Sequence, residues 1–347
     1  MTFEDYQQGL YTPPPAPPRK RRGPAIITAI TLAVVALGSV LIMTNRQFIV
    51  DQWTVWNYEP SSVIEGYMDR STMSDHGRFL FLASQPVIAE AEAFNTVCAN
   101  HEEGSGVLGC YASGTKIITL FDITDPQLDG MEEVVAAHEM LHAAWDRMGT
   151  DEQQHLEQLL EAEFAKLQDD TEFMARMEIY ARTEPGERDN ELHSIIGTEV
   201  ADLDPELSAY YDTYFTDRAA LVALHVQSSA VFAQLEAQTA ALVAEIDQLK
   251  AEIESDLATY NSGYDQLNAD ITAFNTRADN GDFETQEQFD TERAALLARQ
   301  ATLDALFSSI QAKEASYNSK VEQLSQLNAA AAALNTAINV VPRTIEE

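Results

Sequence analysis

The residues best placed to do chemistry are His138, Glu139 and His142, within the run Met131-Glu-Glu-Val-Val-Ala-Ala-His-Glu-Met-Leu-His-Ala-Ala-Trp145. That run follows Gly130 and is made almost entirely of good helix formers, so a helix over 131–145 is expected. On a helix, side chains four residues apart lie on one face, one turn from each other. His138 and His142 can therefore both reach a single Zn2+. Glu139 is turned about 100° from His138, beside such an ion rather than on it, where a carboxylate can serve as general base to a water. The bland alternative is an amphipathic helix with two incidental histidines. Against it, Val134 to Ala137 and Met140, Leu141, Ala143 and Ala144 are all uncharged, as a helix buried behind a metal site requires.

With those residues in place, the segment resembles the zincin metallopeptidases, which share a His-Glu-x-x-His helix. The resemblance covers residues from about 110 to 200, about a quarter of the chain. It implies an α+β, mostly helical catalytic domain, Zn2+ as cofactor, a protein or peptide substrate, and an edge strand just upstream that binds substrate backbone. Lys116-Ile-Ile-Thr-Leu-Phe-Asp-Ile-Thr124 is β-branched and aromatic, lies between Gly114 and Asp125-Pro126, and reads as that strand. The chain does not resemble the metzincins, because Trp145 and Met148 stand where a Gly and a third His would be.

A third ligand must come from elsewhere. Asp189-Asn190-Glu191-Leu192-His193-Ser194 resembles the Asn-Glu-x-x-Ser start of the third-ligand helix of thermolysin-like glutamate-zincins, which implies Glu191 as ligand. The pattern departs at Ile195, where that family often carries an acidic residue orienting a histidine ligand. Glu199 is the nearest substitute for that role. On a helix Glu191 and His193 point apart, so one of them at most is a ligand, and Glu199 is the remaining candidate. Tyr210, Tyr211, Tyr214, Arg218 and His225 follow, and tyrosines so spaced are more often packing than catalysis.

Other elements must carry this segment. Helices are expected over Ser61 to Asp69, with Ser61 or Ser62 as cap, and over Gln85 to Val97. Cys98 and Cys110 are the chain's two cysteines, 12 apart, and outside the cytoplasm a disulfide is the expectation; a shared metal site with His101-Glu102-Glu103 has no recognised ligand spacing. Beyond about 219, Gly and Pro nearly vanish. Phe289, Leu296, Leu303, Ile310, Tyr317, Leu324, Ala331 and Ile338 recur every seven residues. Ile246, Ile253, Tyr260, Leu267 and Phe274 keep the same step, with a slip to Leu257, Tyr264 and Ile271 that reads as a stutter. Arg277-Ala-Asp-Asn-Gly-Asp282 between the runs has turn composition, so residues 219–341 are expected to form a long antiparallel coiled-coil hairpin. A dimeric coiled coil is the rival, and the seam also suits a protein partner.

The N-terminal portion decides location. Arg19-Lys20-Arg21-Arg22 immediately precedes Pro24 to Thr44, which carries no charge. About 20 apolar residues span a bilayer core, so 24–44 is expected to be a single transmembrane helix. The positive-inside rule then puts the Pro-rich, basic tail 1–23 in the cytoplasm as an extended segment and the metallopeptidase domain, 46–218, outside. The alternative, a cleaved export signal, leads the rest of the chain to the same side. Finally, 21 Lys+Arg against 56 Asp+Glu give a net charge of -35, which argues against nucleic acid as a partner. Two functions fit: a membrane-anchored zinc metallopeptidase with Glu139 as base, or an extracytoplasmic coiled-coil scaffold whose zincin-like domain is structural.

Overall fold

The computed structural model describes residues 23–98, 108–183 and 186–338. The tail before residue 23 and the His101-Glu102-Glu103 stretch lie outside the described residues. The chain divides into two compact units, 1–56 and 57–347. The division falls beyond the expected edge at residue 46, and none separates the hairpin from what precedes it.

The first unit holds α1 (Gly23–Thr44) and nearly all of α2 (Arg46–Asn57). The bounds of α1 agree with the apolar run read from the sequence, and its described apolar side chains, Leu32 and Val34 to Met43 among them, are exposed. Among the described residues no single helix is long and apolar enough to cross a membrane. The pair Val34–Thr44 and Arg46–Asn57, bent by 69°, meets the criterion together.

The second unit is mostly helical with one small sheet. It begins with α3 (Ser62–Arg70), whose first turn is closed by the Ser61 hydroxyl accepting from the Ile64 N–H, and α4 (Asp75–Ala83). Where one helix was expected over 85–97, the chain makes strand β1 (Val87–Ala89) and then the short α5 (Ala91–Val97). The β-branched pair Val87-Ile88 finds a strand to join, and that pairing overrides helix propensity. Strands β2 (Gly109–Ala112) and β3 (Ile117–Phe121) complete a sheet of order β1-β3-β2.

This order corrects one expectation. The strand near 116–124 exists, but it is the middle strand, with β1 parallel on one side and β2 antiparallel on the other. Its backbone groups are already paired, so it cannot receive a substrate strand. The edge on that side is β2, whose few residues, containing Gly109 and Cys110, gave no strand signal in the sequence.

Helix α6 (Met131–Trp145) runs through the middle of the unit, with Ala136, Ala137, Met140, Leu141 and Ala143 fully buried. Gly130, at φ 95°, supplies the left-handed turn that starts it. After α7 (Thr150–Phe164) and α8 (Thr171–Thr183) comes α9 (Arg188–Glu199), packed against α6. The two approach closely because residue 197 is glycine. A Cβ there would stand 2.5 Å from Leu141 Cδ1 and 2.6 Å from the Tyr211 ring. Helix α10 (Pro205–Tyr211) supplies that ring.

Two long helices, α11 (Arg218–Asn280) and α12 (Gln286–Ala337), fold back on one another around Gly281, which sits at φ 75°. The pairing is antiparallel. Arg277 meets Glu292, Asp270 meets Arg299, and Lys313 reaches both Glu252 and Asp256, at 2.6, 2.5, 3.0 and 2.9 Å. Across the seam Phe274 meets Phe289 and Tyr260 meets Phe307, with ring centroids 5.0 and 5.3 Å apart. Both feet of the hairpin are packed into the unit. Leu221 joins the main core, while Leu334 is buried with Phe94, Leu108, Phe121 and Leu128 in a second cluster under the sheet.

Candidate metal centre

Helix α6 presents His138 and His142 on one face, with ring centroids 4.7 Å apart, and both rings are buried. His138, Glu139 and His142 each offer one ligand atom, all within 4.8 Å of one another, a group that could hold a metal ion. Helix α9 brings a second carboxylate to the same place. Glu191 is buried, with Oε1 3.3 Å from His142 Nε2 and Oε2 3.5 Å from His138 Nε2. Two ligand atoms about 2.0–2.1 Å from one tetrahedral ion lie roughly 3.3–3.4 Å apart, so the three residues fit a Zn2+ site. The donor set, two neutral imidazoles and a carboxylate with a position left open, is also what such an ion takes.

Neighbouring groups orient both rings. Asn190 Nδ2 donates to Glu187, which turns Asn190 Oδ1 toward His142. His142 Nδ1–H then donates to that oxygen at 2.9 Å, with the Ser194 hydroxyl at 3.2 Å, leaving the Nε2 lone pair toward Glu191. Burial pushes His138 below the usual imidazole range, against the pull of Glu191, so its ring is neutral. The Tyr180 ring from α8 stacks on it at 6.2 Å.

The residue read as an orienting carboxylate does something else. Glu199 forms an ion pair with Arg176 of α8, and its Oε2 lies 3.7 Å from His225 Nε2. Burial pushes the Glu199 carboxyl up to about 7 despite Arg176, and pushes His225 down to about 4, helped by Arg176. At neutral pH the His225–Glu199 contact therefore joins an uncharged imidazole to the carboxyl and is no salt bridge. Asn190 and Ser194 orient His142 instead, and in the sequence Asn190 is part of the motif while its role is invisible.

His193 has other neighbours. It is fully buried on the far side of α9, its Nε2 2.9 Å from the Tyr210 hydroxyl, its ring stacked on Tyr211 and set against Trp145. The Tyr211 hydroxyl donates to the His193 carbonyl at 2.7 Å, and Arg218 donates to the carbonyls of Val200 and Ala201 at the end of α9. These tyrosines and Arg218 hold α9 in place.

A cleft of about 960 Å3 opens over the centre. The β2 edge, Leu108 to Tyr111, lines one side; Arg176 and Tyr180 of α8 and His225, Ser229 and Phe232 of α11 line others. Glu139 lies directly against β2. A Cβ on Gly109 would stand 2.7 Å from Glu139 Oε1 and 2.7 Å from Val135 Cγ1. Cys110, the next residue, is joined to Cys98 by a disulfide with Cα atoms 5.9 Å apart, which ties the edge strand to the end of α5. Arg176 and Tyr180, four residues apart on α8, were missed in the sequence, where nothing marked α8 as facing the centre. No family model, no curated protein and no solved structure matches this chain.

Proposed function

We propose that the protein is a membrane-anchored zinc metallopeptidase acting outside the cytoplasm. The observation that carries the reading is the convergence of Glu191, across two helices, on the Nε2 atoms of both histidines of α6. His138, His142 and Glu191 would hold the ion, which would supply a Lewis acid and a lowered pKa for a water at its open position. Glu139 accepts the proton of the attacking water and returns it to the leaving amine. The edge of β2 away from β3, which lines the cleft, would offer backbone N–H and C=O groups to an extended peptide laid across it. Tyr180 and the Ser194–Asn190 pair keep the two rings in place. Export follows from the basic cluster at 19–22 before α1.

The test is zinc content and peptide cleavage by the purified full chain, with Glu139→Gln beside the wild type. About one Zn2+ per chain is expected in both, with hydrolysis falling in the variant by on the order of 10²–10⁴-fold. A wild-type chain that holds no zinc would rule this reading out. The scaffold reading would then stand, favoured by one observation, the long hairpin of α11 and α12.

A further inference from the structure

Helix α2 is built inside out for a helix in water. Its most buried residue is Asp51, whose carboxylate accepts from Gln47 Nε2 at 2.9 Å. Large apolar side chains on it are exposed: Trp56 at 74 %, Trp53 at 66 % and Phe48 at 59 %. At about 100° per residue, Val55, Phe48, Trp56, Ile49 and Trp53 fall within roughly 160° of arc, with Gln52 the one polar residue among them. Arg46, Gln47, Asp51, Thr54 and Asn57 occupy the other side with Val50.

What covers that arc is suggested by what precedes it. Helix α1 exposes its described apolar side chains and ends at Thr44; its stretch Val34–Thr44 passes through a single residue, Asn45, into α2 at a bend of 69°. If α1 stands along a bilayer normal, a helix leaving it at 69° runs close to the bilayer plane. Tryptophan is the side chain that prefers this depth, because its ring is apolar and its N–H still reaches water or headgroups. We infer that α2 is an interfacial helix lying on the outer leaflet, with Phe48, Ile49, Trp53, Val55 and Trp56 sunk into the boundary between headgroups and acyl chains. The inference rests on the anchoring proposed above.

The lipid chemistry follows from charge. Arg46 and Asp51 cancel within α2, and the whole chain carries -35, so anionic headgroups offer no attraction. Attachment by α2 is therefore through apolar insertion into zwitterionic lipid and is insensitive to salt.

The experiment uses the full chain with Trp145→Phe, which leaves Trp53 and Trp56 as the tryptophans. It is reconstituted into phosphatidylcholine vesicles carrying a nitroxide either high on the acyl chain or near its methyl end. Co-flotation with vesicles is read first, then tryptophan emission and quenching. The expected result is co-flotation, blue-shifted emission unchanged by salt, and quenching about twofold or more stronger from the high nitroxide, the depth of an interfacial helix. Stronger quenching from the methyl-end nitroxide would overturn the inference, since α2 would then be the second half of a broken span. Co-flotation with no quenching by either would overturn it too, because a protein surface would be covering the arc. In both cases the anchoring reading survives. A chain that does not float with vesicles removes the anchoring reading and this inference with it.

Discussion

Gly109→Ala tests whether the edge strand positions the base. A Cβ at residue 109 would meet Glu139 Oε1 and Val135 Cγ1 at 2.7 Å and Glu139 Cγ at 2.8 Å, whereas ordinary contact begins near 3.4 Å. Something must therefore yield by about 3.4 − 2.7 = 0.7 Å. The strand is poorly placed to do so. It is paired to β3 from Gly109 to Ala112, and its next residue is held by the Cys98–Cys110 disulfide. Val135 is on a helix whose buried side is closely packed, so the freest group is the Glu139 side chain. Overpacking of this kind costs about 1–3 kcal/mol. For a unit of this size that is roughly 2–12 °C in Tm, at about 2–4 °C per kcal/mol. A displacement approaching 1 Å at a catalytic group can cost on the order of 10²-fold in rate. On the proposed reading zinc should stay, because that reading makes Glu139 the base and not a ligand. The assays are zinc content, thermal unfolding and peptide cleavage on one preparation. A variant that is destabilised yet cleaves at the wild-type rate refutes the reasoning, since β2 would then have moved and Glu139 would not depend on it. Loss of zinc refutes it from the other side, by making Glu139 a ligand.

Glu191→Gln should lower zinc binding sharply, measured by competition with a chromogenic chelator, because it weakens the one carboxylate facing both Nε2 atoms. His193→Ala should leave zinc stoichiometry unchanged and lower stability by about 2–4 kcal/mol, for a fully buried ring that loses its Tyr210 hydrogen bond and its Tyr211 stack. His225 gives a pH signature: its folded value is pushed down to about 4 by burial and by Arg176, below the ordinary 6.5. The folded state thus binds the proton less readily than the unfolded chain. The associated stability is whole above about 6.5 and is lost as pH falls toward 4, on the order of 3 kcal/mol before discounting for partial exposure. Denaturant midpoints across that interval should flatten in His225→Gln, and an unchanged slope would mean that the facing Glu199 and Arg176 set the acid limb.

How far the sequence could be read follows from whether a signal is local. The helix over 131–145, the Ser61 cap, the Cys98–Cys110 bridge and the antiparallel return at Gly281 each depend on residues within a few turns or on strict periodicity, and all four are present. Which strand is the edge depends on what lies on either side of β3, and no local pattern encodes that. The strand Val87–Ala89 was read as helix for the same reason, since its partner is some thirty residues away in sequence. At the centre, the two histidines share one helix and are legible by spacing. Glu191 was legible only through its resemblance to a motif. Arg176, Tyr180 and the orienting contacts of Asn190 are set by how α8 and α9 cross α6, so they needed the fold.

The hairpin belongs to the second unit because of how its feet are used. A separable coiled coil would begin where its seam begins, with the preceding domain closed beneath it. Here α11 starts at Arg218, whose guanidinium already satisfies the carbonyls that end α9, the helix bearing Glu191. Within its next turns Leu221 enters the main core and His225 meets Glu199, while Ser229 and Phe232 line the cleft. The returning arm ends with Leu334 buried beside Cys98 and Leu108, under the strand that carries Gly109. The feet of the hairpin thus touch two elements of the centre at once, the end of α9 through Arg218 and, through the cluster that holds Leu334, Leu108 at the start of the β2 edge.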